Sequence, residues 1–149
     1  MLATNKQILE ISNSIIILDI DGTIVSDSEY HIEEDILELI SDLKKENTLY
    51  LCSNSKDSKR NTKIAEILNV PLINSPHKKP NKAIIDYINN EEKKNIIVIG
   101  DKFLTDGIFS KNINAKFIKV RRISNQKERF IIKLINIIDD IAYAIWKMM

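Results

Sequence analysis

The chain has 149 residues, of which 44% are hydrophobic and 29% are charged, and its formal net charge is +1. This length is typical of one folded domain, and the charge gives no global field that would favour nucleic acid as a partner. The one cysteine, Cys52, excludes an internal disulfide and favours a reducing compartment. No secretory signal or membrane-spanning apolar run is recognisable, so the expected location is the cytoplasm.

The first half of the chain alternates strand patterns with helical patterns. Residues 14–19 form a continuous apolar and β-branched run, which predicts a strand buried on both faces. Residues 33–46 have a 3.6-residue apolar period, with acids in the first turn and lysines in the last, as is typical of a helix. A second strand is predicted over 48–52 and a second helix over 57–69.

The same alternation continues to residue 120. A short strand is predicted over 71–74, and a helix begins near Pro80, because the first turn of a helix tolerates proline. Two more strands are predicted over 95–100 and 116–120, with a short helical stretch over 105–111 between them. Strands separated by helices need parallel crossovers, so the pattern predicts one α/β domain over residues 1–149 with a five-stranded, doubly wound parallel sheet.

Polar side chains cluster where the predicted strands end. The binding crevice of a parallel sheet lies at the carboxyl ends of its strands. Acids, a hydroxyl and a lysine at one rim indicate a site for a phosphate and for magnesium. The residues brought to this rim are, in chain order, Asp19, Asp21, Ser53, Asn54, Lys79, Asp101, Thr105 and Asp106.

Each of these residue types has a role in phosphoryl transfer, which needs an in-line nucleophile, a divalent cation and donors around the phosphoryl oxygens. Asp19 and Asp101 are natural Mg²⁺ ligands, and one Asp19 oxygen remains to attack phosphorus and form an aspartyl phosphate. Asp21 would protonate the leaving alkoxide and then deprotonate the attacking water. Ser53 and Lys79 would hold the phosphoryl oxygens.

These motifs resemble those of the haloacid dehalogenase (HAD) superfamily. Its phosphatases carry Asp-x-Asp-Gly-Thr after the first strand, a Ser or Thr after the second, then a Lys and an acidic fourth motif. The chain has the first motif at 19–23 and the acidic motif at 100–106. The resemblance implies a Rossmann-like three-layer sandwich and a phosphatase rather than a dehalogenase.

The resemblance also assigns roles to individual residues. Metal is expected on the Asp19 side chain, the Asp21 backbone carbonyl and Asp101, with Asp106 supporting the site from nearby. Of the two neighbouring lysines, Lys79 is preferred to Lys78 because it directly precedes a proline. The residues expected to bind substrate are Gly22, Thr23, Ser53, Asn54 and Lys79.

Three segments resemble the subclass IIIA branch more closely, which includes the YqeG-type phosphatases and the mitochondrial phosphatidylglycerophosphate phosphatases. These segments are 51–55, 78–80 and 98–107, and the similarity extends over about 14–123. This resemblance implies phosphatidylglycerophosphate or a related phosphomonoester as substrate. Two alternatives stay open: a phosphatase for a soluble sugar phosphate or nucleotide, and a binding protein without turnover.

No cap domain is expected over the site. Such caps follow the first motif or lie between the second and third, but 26–32 is only a short turn and 55–77 is filled by one helix and one strand. An open site suits a phosphate carried on something large, such as a lipid headgroup.

A C-terminal amphipathic helix is predicted over about 126–148, after the core. Packing on the sheet is preferred for it, a homodimer interface comes second, and peripheral contact with the inner face of a membrane comes third. The basic residues Arg121, Arg122, Lys127 and Arg129 suit a solvated surface or an anionic substrate or membrane. The apolar stripe of the helix comprises Phe130, Leu134, Ile137, Ile141 and Ile145, widened by Ile131, Ile135, Ile138 and Trp146.

Overall fold

The computed structural model describes residues 2–125 and 130–149. Within this part of the chain, one sheet of four parallel strands has the order β2-β1-β3-β4. The strands are β1 (Ser14–Leu18), β2 (Thr48–Leu51), β3 (Asn95–Gly100) and β4 (Lys116–Lys119). The predicted α/β fold with a parallel sheet is confirmed, and the ends of β1, β2 and β3 meet at one edge.

The prediction of a fifth strand over 71–74 is wrong. This segment forms only an isolated bridge between Leu51 and Leu72. The Leu51 N–H donates to the Pro71 carbonyl at 2.9 Å, and the Ile73 N–H donates to the Leu51 carbonyl at 2.8 Å. Pro71 has no N–H of its own to extend the ladder, so the pairing ends after these contacts.

The described helices connect these strands, and most of them follow the predicted pattern. The helix predicted from Pro80 is a 3₁₀ helix that begins after Asn81, whose side chain accepts the Ala83 N–H. The predicted start of the C-terminal helix, at 126–129, lies outside the described residues. The helices are α1 (Lys6–Leu9), α2 (Glu34–Glu46), α3 (Ser58–Leu68), the 3₁₀ helix (Lys82–Tyr87), a π-helix (Phe103–Gly107), α4 (Ile108–Asn112) and α5 (Phe130–Met148).

Two hydrophobic clusters cover the two faces of the sheet. Ile16 and Leu18 of β1 belong to the first cluster, together with the buried sides of α2 and α3. Ile15 and Ile17 point to the other face, where the second cluster includes residues of the 3₁₀ helix and α4. Side chains alternate between the faces of a strand, so this unbroken apolar run is buried on both sides, as the sequence predicts for a three-layer fold.

The C-terminal helix α5 does not pack its apolar stripe on the sheet, so the preferred interpretation of that stripe is wrong. Ile137 is 56% exposed and Ile141 is 55% exposed, whereas the buried residues of α5 are Asn136 and Asp139. The physical reason is that both faces of the sheet are already covered.

Within the described residues, no helix has both the length and the apolar character needed to cross a bilayer.

Polar and aromatic contacts hold α5 against the π-helix. The Asp139 carboxylate accepts the backbone N–H groups of Phe103 and Leu104, each at 2.7 Å. The Phe103 ring lies 5.6 Å from the Tyr143 ring and 5.2 Å from the Trp146 ring. Hydrogen bonds from Leu104, Lys119 and Phe103 lower the pKa of Asp139 although burial opposes this shift, so the carboxylate stays ionised.

Candidate active site

A cavity of about 290 Å³ lies at the carboxyl ends of β1, β2 and β3. Segments that are far apart in the sequence meet here because parallel strands end at the same edge of the sheet. The residues that line the cavity are Asp19, Asp21, Asp27, Ser28, Asn54, Ser55, Lys79, Lys102 and Thr105. The predicted convergence of acids and a lysine at this edge is therefore present in the structure.

Lys79 joins two carboxylates inside the protein. Its Nζ lies 2.7 Å from Asp19 Oδ1 and 2.5 Å from Asp106 Oδ1. All three residues are buried, with exposed fractions of 5% for Lys79, 7% for Asp19 and 0% for Asp106. An unpaired charge at such depth would be unstable, so these groups depend on one another.

The depth of the site shifts the pKa values of these groups. Burial raises the pKa of Asp19 to about 6, although the charge of Lys79 opposes the shift. Burial also raises the pKa of Asp106 to about 6, and the negative charge of Asp19 adds to the effect. Burial alone would lower the pKa of Lys79, but Asp106 and Asp19 outweigh it and raise that pKa. At neutral pH the site therefore holds a charged lysine between two largely ionised carboxylates.

Asp101 has an oxygen available for a cation. Its Oδ2 accepts a hydrogen bond from Arg122 Nε at 2.7 Å. Its Oδ1 is buried and has no hydrogen-bond partner among the described residues. Carboxylate oxygens of Asp19, Asp101 and Asp106 lie within 4.8 Å of one another. Hard oxygen donors with one unsatisfied atom fit Mg²⁺, and a cation there would satisfy the buried Asp101 oxygen.

Asp106 is less available as a ligand than Asp19 or Asp101. Its Oδ1 pairs with Lys79, and its Oδ2 accepts the Lys102 N–H at 3.3 Å. Both oxygens already have partners in the protein. The supporting role expected for Asp106 stays a prediction.

Asp21 lies at the cavity wall between two donors. Arg60 donates from its NH2 group to Asp21 Oδ1 at 2.5 Å, and Ser53 Oγ lies 3.4 Å from Asp21 Oδ2. The Asp21 side chain is 17% exposed, whereas the Arg60 side chain is 2% exposed. The carboxylate therefore reaches the cavity on one side and is held from the protein interior on the other.

The Asn54 side chain fixes the backbone of Lys79. Its Nδ2 donates to the Lys79 carbonyl at 2.8 Å, and its Oδ1 accepts the Lys79 N–H at 2.8 Å. Asn54 was expected to bind substrate, but both polar atoms of its side chain are used to position Lys79. Lys78 is exposed and donates to the Asn54 carbonyl, so it is Lys79 that reaches the carboxylates.

Five predicted site residues do not line the cavity, namely Gly22, Thr23, Ser53, Asp101 and Asp106. Gly22 has a φ of 81°, and a Cβ at this position would lie 2.5 Å from Asp101 Oδ2. Glycine is therefore needed here both for the backbone conformation and for the close approach of Asp101. Thr23 is 0% exposed, so its side chain is buried in the turn behind Asp19 rather than presented to a ligand.

Comparisons with known proteins agree with this geometry. A family model described as mitochondrial PGP phosphatase matches residues 3–122. The chain belongs to this family. No curated protein matches the chain.

The structure of a known HAD protein supports the fold. The chain is similar to the magnesium-bound HAD-hydrolase YfnB from Bacillus subtilis, with 16% identity and a TM-score of 0.52. The similarity covers 61% of this chain and 46% of that one, so this chain spans less than half the length of this relative. At this identity the likeness concerns the fold alone.

Several residues that build the candidate site were not identified from the sequence. Arg60 and Arg122 each hold a site carboxylate, and Asp27, Ser28 and Lys102 line the cavity. One signal for Arg60 was available: it lies four residues before Ile64, and Leu68 follows after four more, so a charged residue occupies the apolar face of α3. Arg122 belongs to the basic run noted in the sequence, but nothing there indicates its pairing with Asp101, which is 21 residues away.

Proposed function

We propose that this protein is a phosphatase of the HAD superfamily, which hydrolyses phosphomonoesters with Mg²⁺ through an aspartyl phosphate on Asp19. The proposal is carried by the buried cluster beside the cavity, in which oxygens of Asp19, Asp101 and Asp106 approach within 4.8 Å. The Asp19 side chain, the Asp21 backbone carbonyl and Asp101 would hold Mg²⁺. When bound, the ion would neutralise charge on the phosphoryl oxygens and on the attacking carboxylate.

The side chains of the site can carry both steps of the hydrolysis. In the first, a carboxylate oxygen of Asp19 bonds to phosphorus as the ester P–O bond breaks, and Asp21 donates a proton to the leaving alkoxide. In the second, Asp21 takes a proton from water, whose oxygen bonds to phosphorus and displaces Asp19. Phosphate leaves and both aspartates return to their starting states. Lys79 and Ser53 would hold the phosphoryl oxygens.

The ionisation of the site supports Asp19 as the nucleophile. Burial raises the pKa of Asp19 to about 6, so the carboxylate is mainly ionised at neutral pH. Its Oδ1 is oriented by Lys79 at 2.7 Å. An oriented, ionised and desolvated carboxylate is suited to attack on phosphorus.

The test is phosphate release from a panel of phosphomonoesters, with and without Mg²⁺. Asp19→Asn is expected to abolish turnover without unfolding the protein, and Asp86→Asn, which alters an exposed aspartate, is the matched control. More than a few per cent of wild-type turnover in Asp19→Asn would exclude Asp19 as the nucleophile. Mg²⁺ binding without any phosphate release would favour the alternative of a binding protein.

We propose phosphatidylglycerophosphate as the substrate, on the strength of the family description and of the resemblance to subclass IIIA. The stretch between Ser55 and His77 holds α3 and the Leu72 bridge, which supports a site without a cap domain. Such a site admits a phosphate carried on a lipid headgroup. Turnover of the lipid in mixed micelles supports this assignment, whereas turnover of small soluble esters alone would replace it with a sugar phosphate or nucleotide.

We also propose that α5 rests on an anionic membrane. Its outward residues include the exposed Ile137, Ile138 and Ile141, and the exposed Lys133 and Lys147 add positive charge. The opposite side of α5 binds the backbone of 103–104, next to residues that line the cavity. A membrane under α5 would therefore lie near the mouth of the site.

Flotation with vesicles tests this contact. Wild type is expected to float with phosphatidylglycerol vesicles more than with phosphatidylcholine vesicles. Ile137→Glu/Ile141→Glu should stay in the aqueous fraction, and Ile67→Glu, at a 50% exposed isoleucine of α3, is the matched control. A dimer that forms without vesicle binding would favour the homodimer instead. The expected cytoplasmic location, at the inner membrane face, stays a prediction, since the family description names mitochondria.

A further inference from the structure

Arg60 is a buried charge that the proposed mechanism does not use. Its side chain is 2% exposed, and it lies on the same face of α3 as the buried Ile64 and Leu68. A guanidinium is costly to remove from water unless it is paired. A role in packing alone could be filled by an apolar residue, so the partners of Arg60 indicate what the charge is for.

The partners of Arg60 connect it to Asp21. One terminal nitrogen, NH2, donates to Asp21 Oδ1 at 2.5 Å, and the other, NH1, donates to the Glu29 carbonyl at 3.2 Å. NH2 also lies 3.4 Å from Asn61 Oδ1, while Nε has no partner among the described residues. The guanidinium thus joins α3 to the loop that follows β1. Its contacts with the Glu29 carbonyl and the Asn61 side chain fix it in place beside Asp21.

The geometry separates the two oxygens of Asp21. Oδ1 is held by Arg60 from inside the protein, and Oδ2 faces Ser53 Oγ at 3.4 Å. Arg60 does not line the cavity, whereas Asp21 does. Arg60 therefore has no contact with a bound phosphate and can influence the reaction only through Asp21.

We propose that Arg60 is a positioning residue: it binds Oδ1 of the Asp21 carboxyl group and so orients Oδ2, which carries the proton, toward the leaving group. This inference rests on the proposed function, in which Asp21 is the proton donor. Bidentate or anchored arginine contacts fix carboxylates more firmly than a flexible lysine does. Loss of Arg60 should therefore slow those substrates whose leaving group needs a proton, and spare those whose leaving group does not.

The experiment compares two esters in Mg²⁺ with the full-length chain. An alkyl ester, glycerol phosphate, needs protonation of its alkoxide, whereas p-nitrophenyl phosphate releases a stable phenolate. Arg60→Met is expected to lower kcat for the alkyl ester by about tenfold to 100-fold, part of the full effect of general acid catalysis. The loss of kcat for p-nitrophenyl phosphate should be less than about threefold, and KM should change little for either ester.

Two further variants keep the test decisive. Lys59→Met alters the exposed neighbour of Arg60 on α3 and should leave both activities unchanged. Arg60→Lys retains the charge and should recover part of the alkyl-ester activity, and it provides the same comparison if Arg60→Met does not fold. Thermal unfolding confirms that each variant is native before kinetics are measured.

The outcomes are distinguishable. A selective loss on the alkyl ester with partial recovery in Arg60→Lys supports the positioning role. Equal losses on both esters, or a change confined to KM, overturn it while leaving the phosphatase mechanism in place. A wild type that hydrolyses neither ester, nor phosphatidylglycerophosphate in mixed micelles, overturns the proposed function, and the role of Arg60 falls with it. If the wild type hydrolyses the lipid but not glycerol phosphate, the lipid serves as the alkyl ester of the comparison.

Discussion

Removal of Lys79 should expose how strongly the buried site depends on one cation. Lys79 Nζ lies 2.7 Å from Asp19 Oδ1 and 2.5 Å from Asp106 Oδ1, so Lys79→Met leaves two buried carboxylates facing each other. Breaking a buried ion pair by removing one partner costs about 3–5 kcal/mol. We therefore expect the free energy of unfolding to fall by about 3–5 kcal/mol at pH 7.

The loss should be smaller in acid, because a proton can replace the missing cation. Placing a proton on an aspartate with an ordinary pKa of 3.8 costs about 4 kcal/mol at pH 7 and about 2 kcal/mol at pH 5, at 1.36 kcal/mol per pH unit. A protonated Asp19 or Asp106 relieves the repulsion in the variant. The destabilisation is therefore expected to shrink to about 2 kcal/mol at pH 5.

The sign of the pH dependence follows from the raised pKa values. In the wild type without metal, the folded-state pKa values of Asp19 and Asp106 are about 6, above the ordinary 3.8. Their contribution to stability is complete below about pH 4, is lost as the pH rises through about 6, and is level from about pH 7. Without Lys79 these pKa values rise further, so the variant should continue to lose stability above pH 6.

Urea unfolding followed by circular dichroism, in EDTA at pH 5, 6, 7 and 8, measures this difference. Lys78→Met is the matched control, because Lys78 is the exposed neighbour and does not reach the carboxylates. The free energy of unfolding of wild type and Lys78→Met should be level between pH 7 and pH 8, while that of Lys79→Met still falls. If the free energy of unfolding varied with pH in the same way in all three proteins, the reasoning about Lys79 between Asp19 and Asp106 would be refuted.

Three other predictions concern the same site. Burial raises the pKa values of Asp19 and Asp101, so Mg²⁺ affinity in calorimetry should rise from pH 5 to pH 7 with proton release; a pH-independent affinity would contradict this. Gly22→Ala should cost about 1–2 kcal/mol and weaken Mg²⁺ binding, because of the positive φ and the approach of Asp101; unaltered binding would exclude that contact as a constraint. Asp139→Asn should cost about 1–3 kcal/mol and make α5 sensitive to protease, and an equally resistant variant would refute its anchoring role.

The sequence predicted the fold well where the pattern is local. The apolar run at 14–19 has no alternation because both faces of β1 are covered, and the structure shows this burial. The strand predicted over 71–74 is absent because a strand needs a continuous set of hydrogen bonds to a neighbouring strand. Pro71 supplies a carbonyl to Leu51 but has no N–H to extend the ladder, and this limit appears only when the neighbour is known.

Site residues that directly follow a strand could be predicted from the sequence. The side chains that pair with them were harder to predict. Asp19 and Asp21 are marked by their position after an apolar run, and Lys79 is marked by the proline that follows it. The partners that arise from tertiary pairing, such as Arg122, have no local signature. The prediction for α5 was wrong for a related reason. Its wide apolar stripe suggested packing on the core, but the side that faces inward carries Asp139, which accepts the backbone N–H groups of residues 103 and 104.

The distribution of cations explains how several acids coexist in one buried site and why their roles differ. Lys79 pairs with Asp19 and Asp106 together, Arg60 with Asp21, and Arg122 with Asp101. These cations come from separate segments, so only the folded chain neutralises the acids. Asp106 has both oxygens occupied, whereas Asp101 has one buried oxygen without a partner among the described residues. The unsatisfied oxygen therefore identifies Asp101, rather than Asp106, as the acid suited to share a cation with Asp19.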